Sequence, residues 1–380
     1  MTNLGRTMTG KMRKILLAAA LFGVAAATSI PVTAAADTAT SPAVTATANC
    51  NIPAPFSGTP LATSVGGSNN NTSWVLRPSV NDPKIQCGAN AITLRTDVTY
   101  ATVPGAGGQP RALKLDIQTP ATGGPRPLVV YIPGGGFVFA DKTGNIGRRT
   151  YMAEQGYAVA SIEYRTILDG ATYVDGVSDV KAAIRFLRAH AAEYGINSSE
   201  VAVYGESAGG YLASMVGTTA GVTKFDTGDN LNQSSRVQAV VEWFGASDLS
   251  KVASDFDPAT KGYFENSTDN ALVKYVLGPN DPRRLLDVPA AVAAANPITY
   301  AGFGDAPFIH FHGSNDRVIS PSQTVLLHNA LLGKRVQTTR FVVQDAGHGH
   351  LVPNGDTSVP MWSTRVVMDP VMNFLQFQLG

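Results

Sequence analysis

Val201-Ala-Val-Tyr-Gly205-Glu206-Ser207-Ala208-Gly209-Gly210 decides how this 380-residue chain folds. A short β-branched and aromatic run ends in Gly-x-Ser-x-Gly, and a helix-compatible run, Tyr211 to Val216, follows at once. Strand, sharp turn and helix place a serine at the tip. A serine hydroxyl is a poor nucleophile at neutral pH, and a tight strand-to-helix turn lifts it clear of the backbone, where a histidine can take its proton. The flanking glycines leave room for a strained serine backbone. The bare pattern also fits a Gly/Ser turn before an amphipathic helix. A nucleophile needs a base, an acid and an oxyanion hole from the rest of the chain.

Composition sets the frame. Hydrophobic residues make up 44% and charged residues 15% of the chain, which suits a globular core rather than a disordered or nucleic-acid-binding protein. Arg6, Lys11, Arg13 and Lys14 are the only charges before Asp37. They precede an apolar run, Ile15 to Ala27, too short to span a bilayer comfortably, and the small residues Ala34-Ala35-Ala36. Residues 1–36 therefore read as a secretory signal, with an uncleaved anchor as the alternative. Its removal takes four of the 29 basic residues and none of the 28 acidic ones, leaving a net charge near −3. No basic surplus remains to hold a polyanion. Cys50 and Cys87 are the only cysteines, and in an exported chain they are expected to pair.

Residues 37–90 read as a loose extension, rich in Ala, Thr, Ser, Asn, Gly and Pro as far as residue 75 and tied down by that disulfide. Residues 91–380 read as the globular body. Strands are expected at Ile92–Val103, Ala112–Gln118, Pro127–Ile132, Tyr157–Tyr164, Val201–Tyr204, Val237–Phe244, Pro307–His312 and Thr338–Val343. Helices are expected at residues 147–155, Val177–Tyr194, after Ser207, Pro321–Leu332 and Val366–Leu379. In the Val177–Tyr194 segment Val180, Ile184, Leu187 and Ala191 form one stripe, with Lys181, Arg185 and Arg188 expected to face away. Strands alternating with helices call for an α/β fold: a mostly parallel sheet covered on both faces. Residues 249–305 lack strand alternation and read as a small helical cap or lid, with helices at Asn270–Leu277 and near Pro289–Ala295.

Six histidines are candidates for the base. His190 and His328 lie in helices and read as structural or exposed, and His310 and His312 share one strand face. His348 stands between Gly347 and Gly349 in a loop after the last strand, which suits a ring that approaches other groups closely. It is the expected general base, with His350 as the alternative. Asp316 follows a strand at the carboxyl edge of the sheet, where open α/β folds bind ligands. It is the expected acid, though a capping aspartate would look the same. Pro133-Gly134-Gly135-Gly136-Phe137 follows a buried strand, and its amides, with that of Ala208, could offset an oxyanion by about 3–4 kcal/mol each.

These residues carry a family resemblance. The chain resembles the α/β-hydrolase esterases, nearest to the hormone-sensitive-lipase-like carboxylesterases and the bacterial feruloyl and acetylxylan esterases. The matching features are Gly134-Gly-Gly-Phe137, Ser161-Ile-Glu-Tyr164-Arg165, Asp179-Val-Lys-Ala-Ala, Gly205-Glu-Ser-Ala-Gly-Gly210, Asp316 and Gly347-His348-Gly349. The likeness covers about residues 92–380. It implies Ser207 as nucleophile, His348 as base, Asp316 as acid, and Gly135, Gly136 and Ala208 as oxyanion donors. The family usually carries histidine before the three glycines; here Pro133 stands there, so the oxyanion loop is expected to be held differently.

The expected function is a secreted serine esterase with no metal or other cofactor. Its expected partner is a small-molecule or polymer-borne ester, without nucleic acid and without stable membrane insertion after signal cleavage. A serine peptidase of the same fold and a non-catalytic binding module on a hydrolase scaffold are the alternatives.

Overall fold

A computed structural model of the chain describes residue 50, residues 56–57, 72–349, 351–352 and 359–380. The expected signal at residues 1–36 and the alternative base His350 lie outside the described residues. The strands are β1 (Phe56–Ser57), β2 (Trp74–Leu76), β3 (Ile92–Pro104), β4 (Pro110–Pro120), β5 (Arg126–Ile132), β6 (Ala158–Ile162), β7 (Ile196–Glu206), β8 (Ala239–Trp243), β9 (Phe308–Gly313), β10 (Thr338–Val343) and β11 (Leu351–Val352). Nine of them form one sheet in the order β2-β10-β9-β8-β7-β5-β6-β4-β3. Among the described residues of this sheet only the β3–β4 and β4–β6 pairs are antiparallel. β1 pairs in parallel with β11 as a separate ribbon.

Alternation along the central strands builds the core on both faces. Leu128, Val130 and Ile132 of β5 pack with Val177, Val180, Ile184 and Leu187 of the Tyr173–Ala189 helix and with Leu212 and Met215 of the Ala208–Thr218 helix. Val129 and Tyr131 point the other way. They join Met152 of the Ile146–Glu154 helix and Val367, Val371 and Leu375 of the Arg365–Leu379 helix. A strand buried on both faces has no solvent side, which is why β5 reads as an unbroken apolar run. This is the mostly parallel, two-faced α/β architecture expected from the order of elements.

Four local differences have physical causes. Trp74–Leu76, expected to be loose, adds a parallel edge strand to β10, with Val342 opposite Val75; three residues are too few for alternation to reveal. The long helix starts at Tyr173, earlier than expected, because Asp175 accepts the Thr172 amide at 2.8 Å in a capping box. It ends at Ala189, and Ala191–Tyr194 form a separate turn of helix. Lys181 and Arg185 do not face solvent. Both are buried, Lys181 donating to the Thr219 carbonyl at 2.8 Å and Arg185 to Asp226 at 3.1 Å. The connection from Thr219 towards β8 covers that face, and helical periodicity carries no information about what a distant loop covers.

Between β8 and β9 lie the helices Pro258–Asn266, Ala271–Leu277, Pro289–Ala294 and Pro297–Tyr300. Asn270 caps the second, accepting the Val273 amide at 2.8 Å. The first was not expected; it is set by Asp257 as cap and Pro258 at its first position. Among the described residues no helix is long and apolar enough to cross a membrane.

Cys50 and Cys87 form a disulfide across 37 residues of sequence. The adjoining segment is anchored by Glu154, whose carboxylate accepts the Gly88 and Ala89 amides at 2.6 and 3.0 Å. Closing a loop of that length stabilises by about 3–4 kcal/mol in the chain-entropy account. Urea unfolding of the Cys50→Ser/Cys87→Ser variant should therefore show a loss of that size; a loss below about 1 kcal/mol would mean the bridge constrains little.

Candidate active site

Five neighbouring parallel strands, β5, β7, β8, β9 and β10, end at one edge of the sheet. In-register pairs Ile132–Gly205, Glu206–Trp243, Trp243–Phe311 and Val343–Gly313 align those ends. The glycine loop, Ser207, Phe244, Asp316 and His348 each follow one of them. Residues spread over more than 200 positions thus meet because each begins where a strand stops.

The serine turn is fixed by backbone contact. Ser207 adopts φ 55° and ψ −119°, which its side chain makes costly. The chain crosses itself here too closely for side chains. A Cβ on Gly205 would lie 2.0 Å from the Gly209 carbonyl oxygen, and one on Gly209 would lie 2.0 Å from that of Ile132. The Ser207 amide donates to Trp243 at 2.9 Å, and the Tyr211 amide donates to Ser207 at 3.0 Å. Both bonds hold the strained residue in place while the Ala208–Thr218 helix begins directly behind it.

Three side chains meet at the tip. His348 Nε2 lies 2.8 Å from Ser207 Oγ, and His348 Nδ1 lies 2.7 Å from Asp316 Oδ2. Asp316 is fully buried, and its Oδ1 accepts the Val318 and Ile319 amides at 2.8 and 3.0 Å. Burial alone would raise its pKa. The charge of His348 and hydrogen bonds from His312 and His348 outweigh that and hold the carboxyl well below the usual carboxylate range. The Asp316 and His348 loops are packed backbone on backbone: the Asn315 amide donates to Ala346 at 3.0 Å, and a Cβ on Gly313 would lie 2.2 Å from the Ala346 oxygen. An imidazole between a hydroxyl and a buried carboxylate can accept the hydroxyl proton, and the carboxylate stabilises the cation that results.

The sequence reading missed Phe244. Its ring centroid is 4.6 Å from that of His348, and its φ of 41° is rare for an aromatic residue. It is buried against Trp362 and lies close over Gly349. The two rings are tilted by 55°, so Phe244 packs against the imidazole of His348. Nothing in Trp243-Phe244-Gly245 marks it apart from its position directly after β8.

The glycine loop carries three successive positive φ angles, at Gly135 (146°), Gly136 (61°) and Phe137 (63°). Pro133 has no amide hydrogen to hold the loop, but its carbonyl accepts the buried Tyr164 hydroxyl at 2.9 Å. The Ile167 amide donates to Phe137 at 3.0 Å. The Phe137 ring stacks on Tyr275 of the Ala271–Leu277 helix at 4.2 Å, and Tyr211 donates to the Ala295 carbonyl at 2.7 Å. The insertion after β8 therefore touches both the glycine loop and the helix behind Ser207.

Beneath the site lie two buried carboxylate-centred pairs. Glu206 pairs with Arg148 and accepts from Tyr131 at 2.8 Å and Asn145 at 3.0 Å. Glu242 Oε2 lies 2.9 Å from His310 Nδ1, with Oε1 accepting the Gly245 amide. Burial raises Glu242 to about 7 and lowers His310 to about 3, so the pair holds a single proton over the acidic to neutral range. His310 and His328 share Thr338 at 3.2 and 2.9 Å, which accounts for both rings structurally. His190 is partly buried and stacks on Phe186 at 4.2 Å. Among the described residues no group of His, Cys, Asp and Glu is placed to hold a metal ion.

A two-faced parallel sheet with a serine elbow, a buried carboxylate and a histidine loop at one edge defines an α/β-hydrolase. Residues 115–331, more than half of the chain, match the BD-FAE family, and the chain belongs to it. Among curated proteins it is 30% identical over 201 residues to the probable carboxylic ester hydrolase LipM of Mycobacterium tuberculosis, covering 53% of this chain and 43% of that one. It is 26% identical to esterase LipC of the same organism, covering 62% and 56%. The chain thus spans about half the length of these relatives. Among solved structures, a truncated carbohydrate esterase from gut microbiota superposes with TM-score 0.59 at 25% identity, covering 80% of this chain and 99% of that one. The Thermogutta terrifontis esterase Est2 shares the fold, with TM-score 0.57 at 21% identity over 75% of this chain and 92% of its own.

Tyr164→Phe would leave the buried Pro133 carbonyl without its donor. A stability loss of about 1–3 kcal/mol is expected in chemical denaturation, whereas an unchanged midpoint would show that the loop is held elsewhere.

Proposed function

We propose that this protein is a secreted serine esterase that hydrolyses carboxylic esters through an acyl-enzyme intermediate. The observation that carries the proposal is the continuous chain from Ser207 Oγ through His348 to Asp316, at 2.8 and 2.7 Å. In the proposed reaction Ser207 Oγ attacks the ester carbonyl carbon as its proton passes to His348 Nε2. The amides of Gly135, Gly136 and Ala208 receive the oxyanion. Collapse breaks the bond to the alcohol, which leaves with the proton from His348. Water, deprotonated by the same imidazole, then attacks the acyl carbon; the bond to Ser207 Oγ breaks, Oγ takes the proton back from His348, and the carboxylic acid leaves.

The esterase names of the relatives support this reading. The neighbour covered over 99% of its length is described as a carbohydrate esterase. We accordingly propose an acetyl or feruloyl ester borne on a polysaccharide as the substrate class. Export is proposed from the basic segment ending at Lys14, the apolar run after it and the small residues before Asp37. The Cys50–Cys87 bridge suits an oxidising compartment.

Ser207→Ala and His348→Ala should each lower p-nitrophenyl acetate hydrolysis by more than about 10⁴-fold with an unchanged circular dichroism spectrum. His350→Ala should stay within about tenfold of wild type. Residual activity near wild type in Ser207→Ala would refute the assignment. Amide cleavage without ester preference would favour a peptidase instead.

A further inference from the structure

His312 is fully buried on β9, and the Ser207–His348–Asp316 chain does not include it. Its surroundings determine where its proton sits. A carbonyl oxygen only accepts, and His312 Nε2 lies 3.1 Å from the Ile319 carbonyl, so Nε2 carries hydrogen. On the other side of the ring, Nδ1 lies 3.2 Å from Thr324 Oγ1. Arginine only donates, and Arg340 Nε donates to that hydroxyl at 2.7 Å; of the two acceptors within reach of the hydroxyl hydrogen, Nδ1 at 3.2 Å is nearer than the Pro321 carbonyl at 3.4 Å, which already accepts from Arg340. Arg340 is itself locked, donating to Pro321 O and Ser73 Oγ at 2.8 Å each. Both sides of the ring therefore favour hydrogen on Nε2. That same Nε2 lies 3.1 Å from Asp316 Oδ2, the oxygen that faces His348, so its one hydrogen is shared between the Ile319 carbonyl and the carboxylate in a three-centre contact.

We propose that His312 is a positioning residue for Asp316, held as its Nε2–H tautomer by Thr324 and Arg340 and donating to the carboxylate oxygen that orients His348. The proposal rests on the reading of Asp316 as the acid partner of His348. A carboxylate has several acceptor sites. Two are filled by the Val318 and Ile319 amides on Oδ1, and without His312 the Oδ2 atom would have His348 alone. The His312 donor fixes the carboxylate plane and draws off part of its charge. Losing it would let the carboxylate rotate and concentrate its charge on the His348 ring. The other charged or titratable groups around the ring are Arg340, the Glu242–His310 pair on β8 and β9, and His348 beyond Asp316. None of these is replaced in the variants that follow, and only Thr324→Val removes a partner of one of them, the acceptor of Arg340 Nε.

The test is hydrolysis of p-nitrophenyl acetate by the full chain between about pH 5 and pH 9, with thermal melts as a check on folding. His312→Leu is expected to lose about 10–100-fold in kcat with KM within about twofold, and the acid limb of kcat/KM should move up by about half to one pH unit. His312→Gln, whose amide can donate from near the same place, should recover to within about threefold of wild type with its acid limb restored. The proposal is overturned if His312→Leu stays within about twofold of wild type with an unmoved limb, or if the Gln variant is as impaired as the Leu variant. Should His312→Leu fail to fold, Thr324→Val against Thr324→Ser decides. The Val variant is expected to lose about 3–10-fold with the same shift and the Ser variant to keep the wild-type profile, whereas superimposable profiles refute the chain of donors. Ser207→Ala is run alongside. Activity surviving in it would sink the serine mechanism itself, whereas an inactive Ser207→Ala beside a wild-type-like His312→Leu sinks only the role of His312.

Discussion

Everything at the site depends on a backbone-on-backbone contact, the crossing of the Ala208–Thr218 helix over the end of β5. Gly209 sits where any Cβ would be 2.0 Å from the Ile132 oxygen and 2.7 Å from that of Pro133. This closeness forces the positive φ of Ser207, since the chain must turn within one residue from strand to helix. It also sets the Pro133–Phe137 loop beside Ser207. A Cβ on Gly134 would lie 3.1 Å from that of Ser207. Nucleophile and glycine loop are therefore placed by one contact rather than two.

Strain of this kind persists only where the surroundings over-determine it. The surroundings here are apolar on both faces of the sheet and strongly polar just below its edge. Tyr164 pins the Pro133 carbonyl, and Glu206 is bound by Arg148, Tyr131 and Asn145. Asp316 receives two amides and two imidazoles. Buried pairs cost desolvation and do little for net stability, but each has few alternative geometries. A site that must keep a hydroxyl, an imidazole and a carboxylate in line gains more from that restriction than from extra stability.

The fold was legible because its signals are local. Thr338–Val343 is a strand over the range that its residues suggest, and β5 and β9 shift by only a residue or so. Ser207, Asp316 and His348 are each marked by a strand end and by glycines, and the structure brings all three together. What stayed hidden depends on distant partners. Lys181 and Arg185 read as an outward face because only the connection leaving Thr219 reveals their burial. Phe244 and Tyr164 serve through a ring position and one hydroxyl, neither of which any spacing encodes. The Pro133 carbonyl accepts from Tyr164, 31 residues away, and no local signal at either residue shows that the two meet.

The central claim is that Ser207 is made nucleophilic by His348. Labelling with a fluorophosphonate, followed by mass mapping of the digested chain, tests it most directly. The account predicts one adduct per chain, on the peptide carrying Ser207, with the rate of labelling reduced by at least about 100-fold in His348→Ala. An adduct elsewhere, no adduct in the folded protein, or equal labelling of the His348→Ala variant would contradict it.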